Sequence, residues 1–200
     1  MVRNRDPFST ALEDLRRRLM SGAYGGGASI VIVDEAKRLA LSTTPVREAL
    51  AWLSGAGLVE HMSTGGYRAS RIEAGVVRDS YVFRRDCLQL SVNAFGGPSA
   101  PASVFATPED LFEWIVGRGG NAALSDAFHR VGFHLKRLAY AERQVLGDPG
   151  PALQAMYQGL VDDRLDVLSR LIDAYHQDRI AASAVIAFEA EHARPDDAET

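Results

Sequence analysis

The sequence predicts a mainly α-helical protein in two parts: three helices with a small β-hairpin over residues 1–72, then an antiparallel helical bundle over residues 73–200. Three observations predict it. Apolar residues recur at intervals of three and four along most of the chain, the mark of helices that bury one face. The Gly65-Gly66 pair lies between two short β-prone runs, as the tip of a hairpin does. Charge divides at the same boundary: residues 1–72 hold ten Lys/Arg against seven Asp/Glu, a net of +3, and the other 128 hold 12 against 19, a net of −7, which gives the overall −4.

Taken in order, Leu12, Leu15, Leu19 and Met20 share one helical face, with Ser9 or Thr10 available as N-cap and Gly22 as terminator. Consecutive glycines at Gly25, Gly26 and Gly27 turn the chain before the β-branched run Ile30-Val-Ile-Val33. Asp34 then caps a short helix that turns Ala36, Leu39 and Ala40 inward. Ser42 suits the N-cap of the next helix, and Pro45 sits in its first turn, where a missing N–H does no harm. Val46, Ala49, Leu50 and Leu53 form the buried stripe of this helix, which ends near Ser54-Gly55. Leu58-Val59 and Tyr67-Arg-Ala-Ser70 read as strands on either side of the tip Ser63-Thr-Gly-Gly66. Helix, turn, capped helix and hairpin in that order make a winged helix-turn-helix. Beyond Ile72, helices are expected over 74–95, 108–116, 122–146, 151–161 and 163–191, with a Gly/Pro/Ser-rich break at 96–103 and a fraying acidic tail at 195–200.

With 200 residues and 46% apolar content the chain can bury a substantial core. Cys87 stands alone and cannot form an internal disulfide, which suits a reducing compartment. Residues 1–8 lack the apolar segment of a signal peptide, and no apolar run approaches the ~18 residues that a spanning helix needs. A cytoplasmic location without a membrane partner is therefore expected. The basic N-terminal part can approach phosphates, whereas the acidic remainder suits a small ligand or self-association.

A recognition helix needs small polar side chains at its N-terminal end and a long cation that reaches a base edge or a phosphate. Ser42, Thr43, Thr44 and Arg47 meet that description. Arg47 lies one turn beyond Thr43, opposite the Leu50/Leu53 stripe. A guanine edge and a phosphate both accept an arginine, and the sequence leaves the two open. Read alone, Arg47-Glu48 is an ordinary solvated helix face. Gly65-Gly66 permits close backbone approach to DNA, with Arg68 and Arg71 beside it, although the same residues also suit a plain hairpin turn.

Leu39 to Leu50, followed by Gly57-Leu-Val59, resembles the signature of the GntR family of bacterial transcription regulators, and the resemblance covers about residues 9–72. In that family Ser-Arg-Thr-Pro-Val-Arg-Glu-Ala-Leu opens the recognition helix. Ser42, Thr44, Pro45, Val46, Arg47, Glu48, Ala49 and Leu50 match it; Arg38 fills the family's arginine position in the preceding helix and Gly65 or Gly66 the wing tip. The resemblance implies that these residues meet a double-stranded operator. Thr43 stands where the family usually has arginine, which implies a different operator or binding weaker by about 1–3 kcal/mol if that contact is bidentate. Gly25-Gly26 replaces a usual Pro-Gly, and Glu35 occupies a normally apolar position.

The second part resembles the helical domain of the FadR subfamily, in its FCD or its shorter VanR-like form, which binds a small organic acid or similar effector and forms homodimers. Tyr81-Val-Phe-Arg84 resembles the opening of that domain, where the arginine often faces the ligand; a salt bridge from Arg84 to Asp86 or Glu189 is the alternative. Ser125-Asp-Ala-Phe-His129 resembles an Asp-x-x-Phe-His motif, and His176 its final histidine. Arg84, His129 and His176 are thus the expected effector contacts. Asp126, His129 and His176 are the candidates for a zinc- or nickel-type divalent metal. The set is incomplete: Ser125 fills the aspartate position, with Asp126 about 100° away around the helix, and Gln154 falls near that of the middle histidine. Hydrogen-bonded helix positions account for His129 and His134 more simply than a metal does.

The leading expectation is a regulator, a repressor by type, that binds a palindromic operator as a dimer and responds to an effector. Two half-sites about 34–36 Å apart call for two recognition helices. An enzyme or metal-dependent protein with an appended DNA-binding module is the alternative, resting on Asp126, His129, His134 and His176. It lacks a complete ligand set, and no Ser/His/Asp or Cys/His arrangement accompanies Cys87. A regulator that binds DNA without any ligand is a further alternative.

Overall fold

The computed structural model describes residues 6–96, 101 and 104–192, and it divides into two compact units: residues 1–72 with the end of the last helix from Glu189, and Glu73–Phe188. The acidic tail at 195–200 and most of the break at 96–103 lie outside the described residues.

In the first unit, helix α1 (Pro7–Met20) buries Ala11, Leu15 and Leu19 against helix α3 (Thr43–Gly55), whose own buried stripe is Val46, Ala49, Leu50 and Leu53. The N-cap of α1 is Asp6, whose carboxylate accepts from Ser9 N at 3.2 Å, and Ser9 and Thr10 lie inside the helix. Pro7 explains the earlier start, since it fits the first helical turn and the preceding aspartate caps it. Helix α2 (Ile32–Leu39) likewise begins two residues before Asp34. Val31 is its N-cap, and Asp34 and Glu35 fall in the first turn, where negative charge suits the helix dipole. Only Ser29–Ile30 of the β-branched run is strand, here β1.

Strand β3 (Tyr67–Ala69) is central, antiparallel to β1 on one side and to β2 (Val59–His61) on the other. Between α2 and α3 the chain reverses at Ala40, in the left-handed region (φ 53°), and Leu41 N donates to Ala36 O at 2.9 Å. Ser42 follows in an extended conformation that directs the chain into α3.

In the second unit, helix α4 (Ala74–Asn93) packs chiefly on α9 (Leu165–Ala181). Between them in sequence lie α5 (Pro108–Arg118), α6 (Ala122–Leu135), a 3-10 turn (Lys136–Leu138), α7 (Ala139–Leu146) and α8 (Gly150–Val161). Leu88, Leu111, Phe112, Ile115, Met156, Leu160, Leu168 and Ile172 form the core. Thr107 and Asp110 open α5 with a reciprocal capping box.

Two expected helices are divided. The one over 122–146 breaks at the 3-10 turn, which keeps both Leu135 and Leu138 buried. The one over 163–191 starts late and splits: Asp163 takes a left-handed conformation (φ 54°) that ends α8, and Ala182 separates α9 from α10 (Ser183–His192). Aspartate tolerates that conformation better than most residues.

Candidate functional site

On α3, Ser42, Thr43, Thr44, Arg47 and Glu48 are exposed while Val46, Ala49 and Leu50 are buried, so a polar edge runs along one side of a helix anchored by the other. Pro45 is half-buried in the first turn. Arg47 has no carboxylate partner among the described residues. In the hairpin, Met62 N donates to Gly66 O at 3.0 Å and Gly65 N to Met62 O at 2.9 Å. Gly65 and Gly66 take φ values of 88° and 86°, a region open to glycine, and leave their half of the tip without side chains beside the exposed Ser63 and Thr64.

The other candidate cations, Arg38 and Arg68, are engaged. Arg68 bonds across the hairpin to Glu60 at 2.6 Å. Arg38 donates from Nε to Glu35 at 2.9 Å and pairs with Asp14, while Arg18 bonds both oxygens of Glu35, at 2.9 and 2.8 Å. Glu35, only 7% exposed, is thus held between two guanidiniums. That network explains a carboxylate in an apolar position.

The second unit encloses a polar cluster within its apolar core. Arg84 on α4 is 2% exposed and His176 on α9 fully buried. His176 Nδ1 lies 2.7 Å from Ile172 O, which can only accept, so Nδ1 carries the proton and Nε2 accepts from Arg84 Nε at 3.2 Å. Arg84 Nη1 lies 3.5 Å from Glu109, and Arg84 Nη2 is buried without a hydrogen-bond partner. Beside them, Glu142 of α7 accepts from the Tyr81 hydroxyl at 2.5 Å and from Arg179 Nε at 2.8 Å. Arg179 also donates to Tyr175 O at 3.0 Å and stacks 3.3 Å from the centre of that ring. Burial, and then Glu142, raise the pKa of the Tyr81 hydroxyl, so it remains a donor. An open cavity of about 320 Å³ is lined by Glu109, Glu142, Arg143, Leu153, Tyr175 and Arg179, among others.

No protein-family model and no curated protein matches the sequence. Solved structures do. The chain is similar to a protein from Rhodococcus sp. RHA1 assigned as a transcriptional regulator GntR, with a TM-score of 0.72 and 18% identity over 88% of this chain and 97% of that one. It is similar to McbR/YncC of E. coli, with a TM-score of 0.60 and 15% identity over 90% and 97% of the two chains. A third is Lar, described as controlling expression of the Listeria monocytogenes agr system, with a TM-score of 0.58 and 11% identity over 88% and 96%. The fold is that of GntR-type regulators. At such identities the likeness is one of backbone, and the side chains of this GntR-type fold must be read on their own.

Of the residues expected from sequence, Arg84 and His176 come together, although the partners of Arg84 are His176 and Glu109; Asp86 pairs instead with Arg85. Asp126 and His129 do not join them. Both are exposed on α6, and His129 Nδ1 is taken by Ser125 O at 2.7 Å. The expected metal set therefore does not assemble: among the described residues no group of three or more His, Cys, Asp or Glu could hold an ion, and a guanidinium occupies the free nitrogen of His176. Sequence reasoning missed Glu142, Tyr175 and Arg179, and quoted Tyr81 only as part of the motif that carries Arg84. Each sits at an unremarkable helical position, and only their meeting in space marks them.

Burial, with the charges of Arg84 and Arg179, holds the His176 pKa well below the ordinary 6.5. A ring kept neutral in the fold makes the unfolded chain the better proton binder below that value. This contribution is complete above pH about 6.5 and falls by about 1.4 kcal/mol per pH unit on acidification until the folded ring titrates. Thermal melts between about pH 7.5 and about pH 5.5 should show a steeper loss for the unaltered protein than for His176→Gln. Equal slopes would show that the ring titrates alike in both states.

Proposed function

We propose that the chain is a DNA-binding transcription regulator of the GntR type, a repressor that binds a palindromic operator as a homodimer and releases it in response to a small organic acid. In this reading residues 1–72 read DNA and the helical part takes the ligand. The observation that carries it is the exposed edge of Ser42, Thr43, Thr44 and Arg47 on a helix whose opposite face is buried, in a unit that also carries a glycine hairpin tip. Arg47 is the free cation of that edge and the residue expected to meet a base or a phosphate.

An organic acid suits the helical unit because two guanidiniums, Arg84 and Arg179, are buried there with a single buried carboxylate, Glu142. Arg84 keeps an unused donor, and Arg179 faces an open cavity. Dimerisation is supported by Val76, Phe83 and Leu90, large apolar side chains that recur at every seventh residue of α4 and are exposed. A cytoplasmic site of action follows from the DNA partner. No helix among the described residues is long and apolar enough to cross a membrane.

The test is to select binding duplexes from a random-sequence pool and titrate the best of them at several salt concentrations. Two chains should bind per duplex, the selected sequences should be palindromic, and log K should fall linearly with log salt, by roughly 0.9 per phosphate neutralised. No selected sequence, or an affinity indifferent to salt, would remove the DNA-reading function.

A further inference from the structure

Glu142 is bound in the way that a carboxylate ligand is bound. One oxygen accepts from a buried phenol and the other from a buried guanidinium, at 2.5 and 2.8 Å, and the cavity of about 320 Å³ opens onto both Glu142 and Arg179. A small acid entering that cavity would find its best donors already occupied by a side chain of the same chemistry. Arg84 adds positive charge in the same cluster, with Nη2 unpartnered at 2% residue exposure and only the half-exposed Glu109 nearby.

The element that carries Glu142 is lightly anchored. Helix α7 has eight residues, of which only Ala141 and Glu142 are buried. Its neighbour α8, by contrast, buries Met156 and Leu160. A 3-10 turn precedes α7, and Gly147 follows in a conformation (φ 80°, ψ −162°) that is open to glycine alone. Tyr140, Val145 and Leu146 are half-buried, so the contacts of Glu142 with Tyr81 and Arg179 are the buried polar anchor of a helix set between two conformationally distinct joints.

We propose that Glu142 is a built-in carboxylate seated in the acid-binding site, and that a small organic acid binds by displacing it from Arg179 and Tyr81, which frees α7. The proposal rests on the acid-binding reading above and adds its trigger. The incoming carboxylate replaces one charge-assisted bond with another, so the net gain in binding is modest. The structural change is larger, because the displaced Glu142 must leave an enclosed position for water.

The experiment uses acetate, succinate and benzoate as probes: a minimal carboxylate, one with two carboxylates and an aromatic one. Affinities of the full chain and of Glu142→Gln are measured by calorimetry, and hydrogen exchange is followed at Ala139–Leu146. With a bound probe, exchange in α7 of the unaltered protein should quicken. Glu142→Gln, which keeps the shape but removes the competing charge, should bind the same probe about tenfold more tightly. It should also exchange faster without probe. Binding to the unaltered protein with α7 exchange unchanged or slowed, or no tighter binding by Glu142→Gln, would overturn displacement while leaving acid binding intact. Failure of all three probes to bind either protein would overturn both. Should Glu142→Gln not fold, exchange in the unaltered protein decides alone.

Discussion

Replacing Arg179 by alanine is expected to destabilise the helical unit by about 3–5 kcal/mol, because it leaves a buried carboxylate without its cation. Glu142 is 8% exposed and would keep Tyr81 as its remaining donor, while Tyr175 O would lose the 3.0 Å bond from Arg179 and its ring the guanidinium stacked on it. Urea unfolding at neutral pH measures the loss. Pairing Arg179→Met with Glu142→Leu should restore much of the stability, because apolar replacement of both partners removes the two desolvation costs together. A loss under about 1 kcal/mol for the single change would mean that Glu142 reaches water.

Arg47→Ala is expected to weaken operator binding by about 1–3 kcal/mol for each half-site, hence about 2–6 kcal/mol for a dimer on a palindrome. Fluorescence titration of the selected duplex reads this directly. Because Arg47 is exposed and lies opposite the buried stripe of α3, the thermal midpoint should stay close to that of the unaltered protein. If the loss is uniform across operator variants, Arg47 sits on a phosphate; if it is confined to substitutions at one base pair, Arg47 reads that base. Unchanged affinity would take Arg47 off the DNA-facing edge.

The first unit was largely legible because its helices are short, strongly periodic and punctuated. Val46, Ala49, Leu50 and Leu53 mark their own buried face, and Gly65-Gly66 marks the hairpin tip. What escaped was fine placement: Asp6 caps α1 through a proline, and Ile32, a β-branched residue, opens a helix. In the second unit the break at Ala182 carries no glycine or proline, and alanine continues a helix more readily than any other residue, so nothing local announces it. The polar cluster was half legible. Arg84 and His176 stood out through a family resemblance, whereas Glu142 meets Tyr81 across 61 positions and Arg179 across 37. Pairings at that separation leave no periodic trace. The same resemblance pointed to His129, which the rotation of α6 turns to solvent.

Arg38 carries its counterion with it. Held by Asp14 and Glu35, with Glu35 shared by Arg18, it reaches any phosphate already neutralised by groups that cannot diffuse away. A free surface cation gains from the entropy of mobile ions released when DNA is bound, but a cation whose partner is fixed to the same fold frees few of them. Among the candidate contacts, Arg47 should therefore set the steepness of the salt response. Arg38 should act mainly on geometry, fixing the angle at which α2 meets α1.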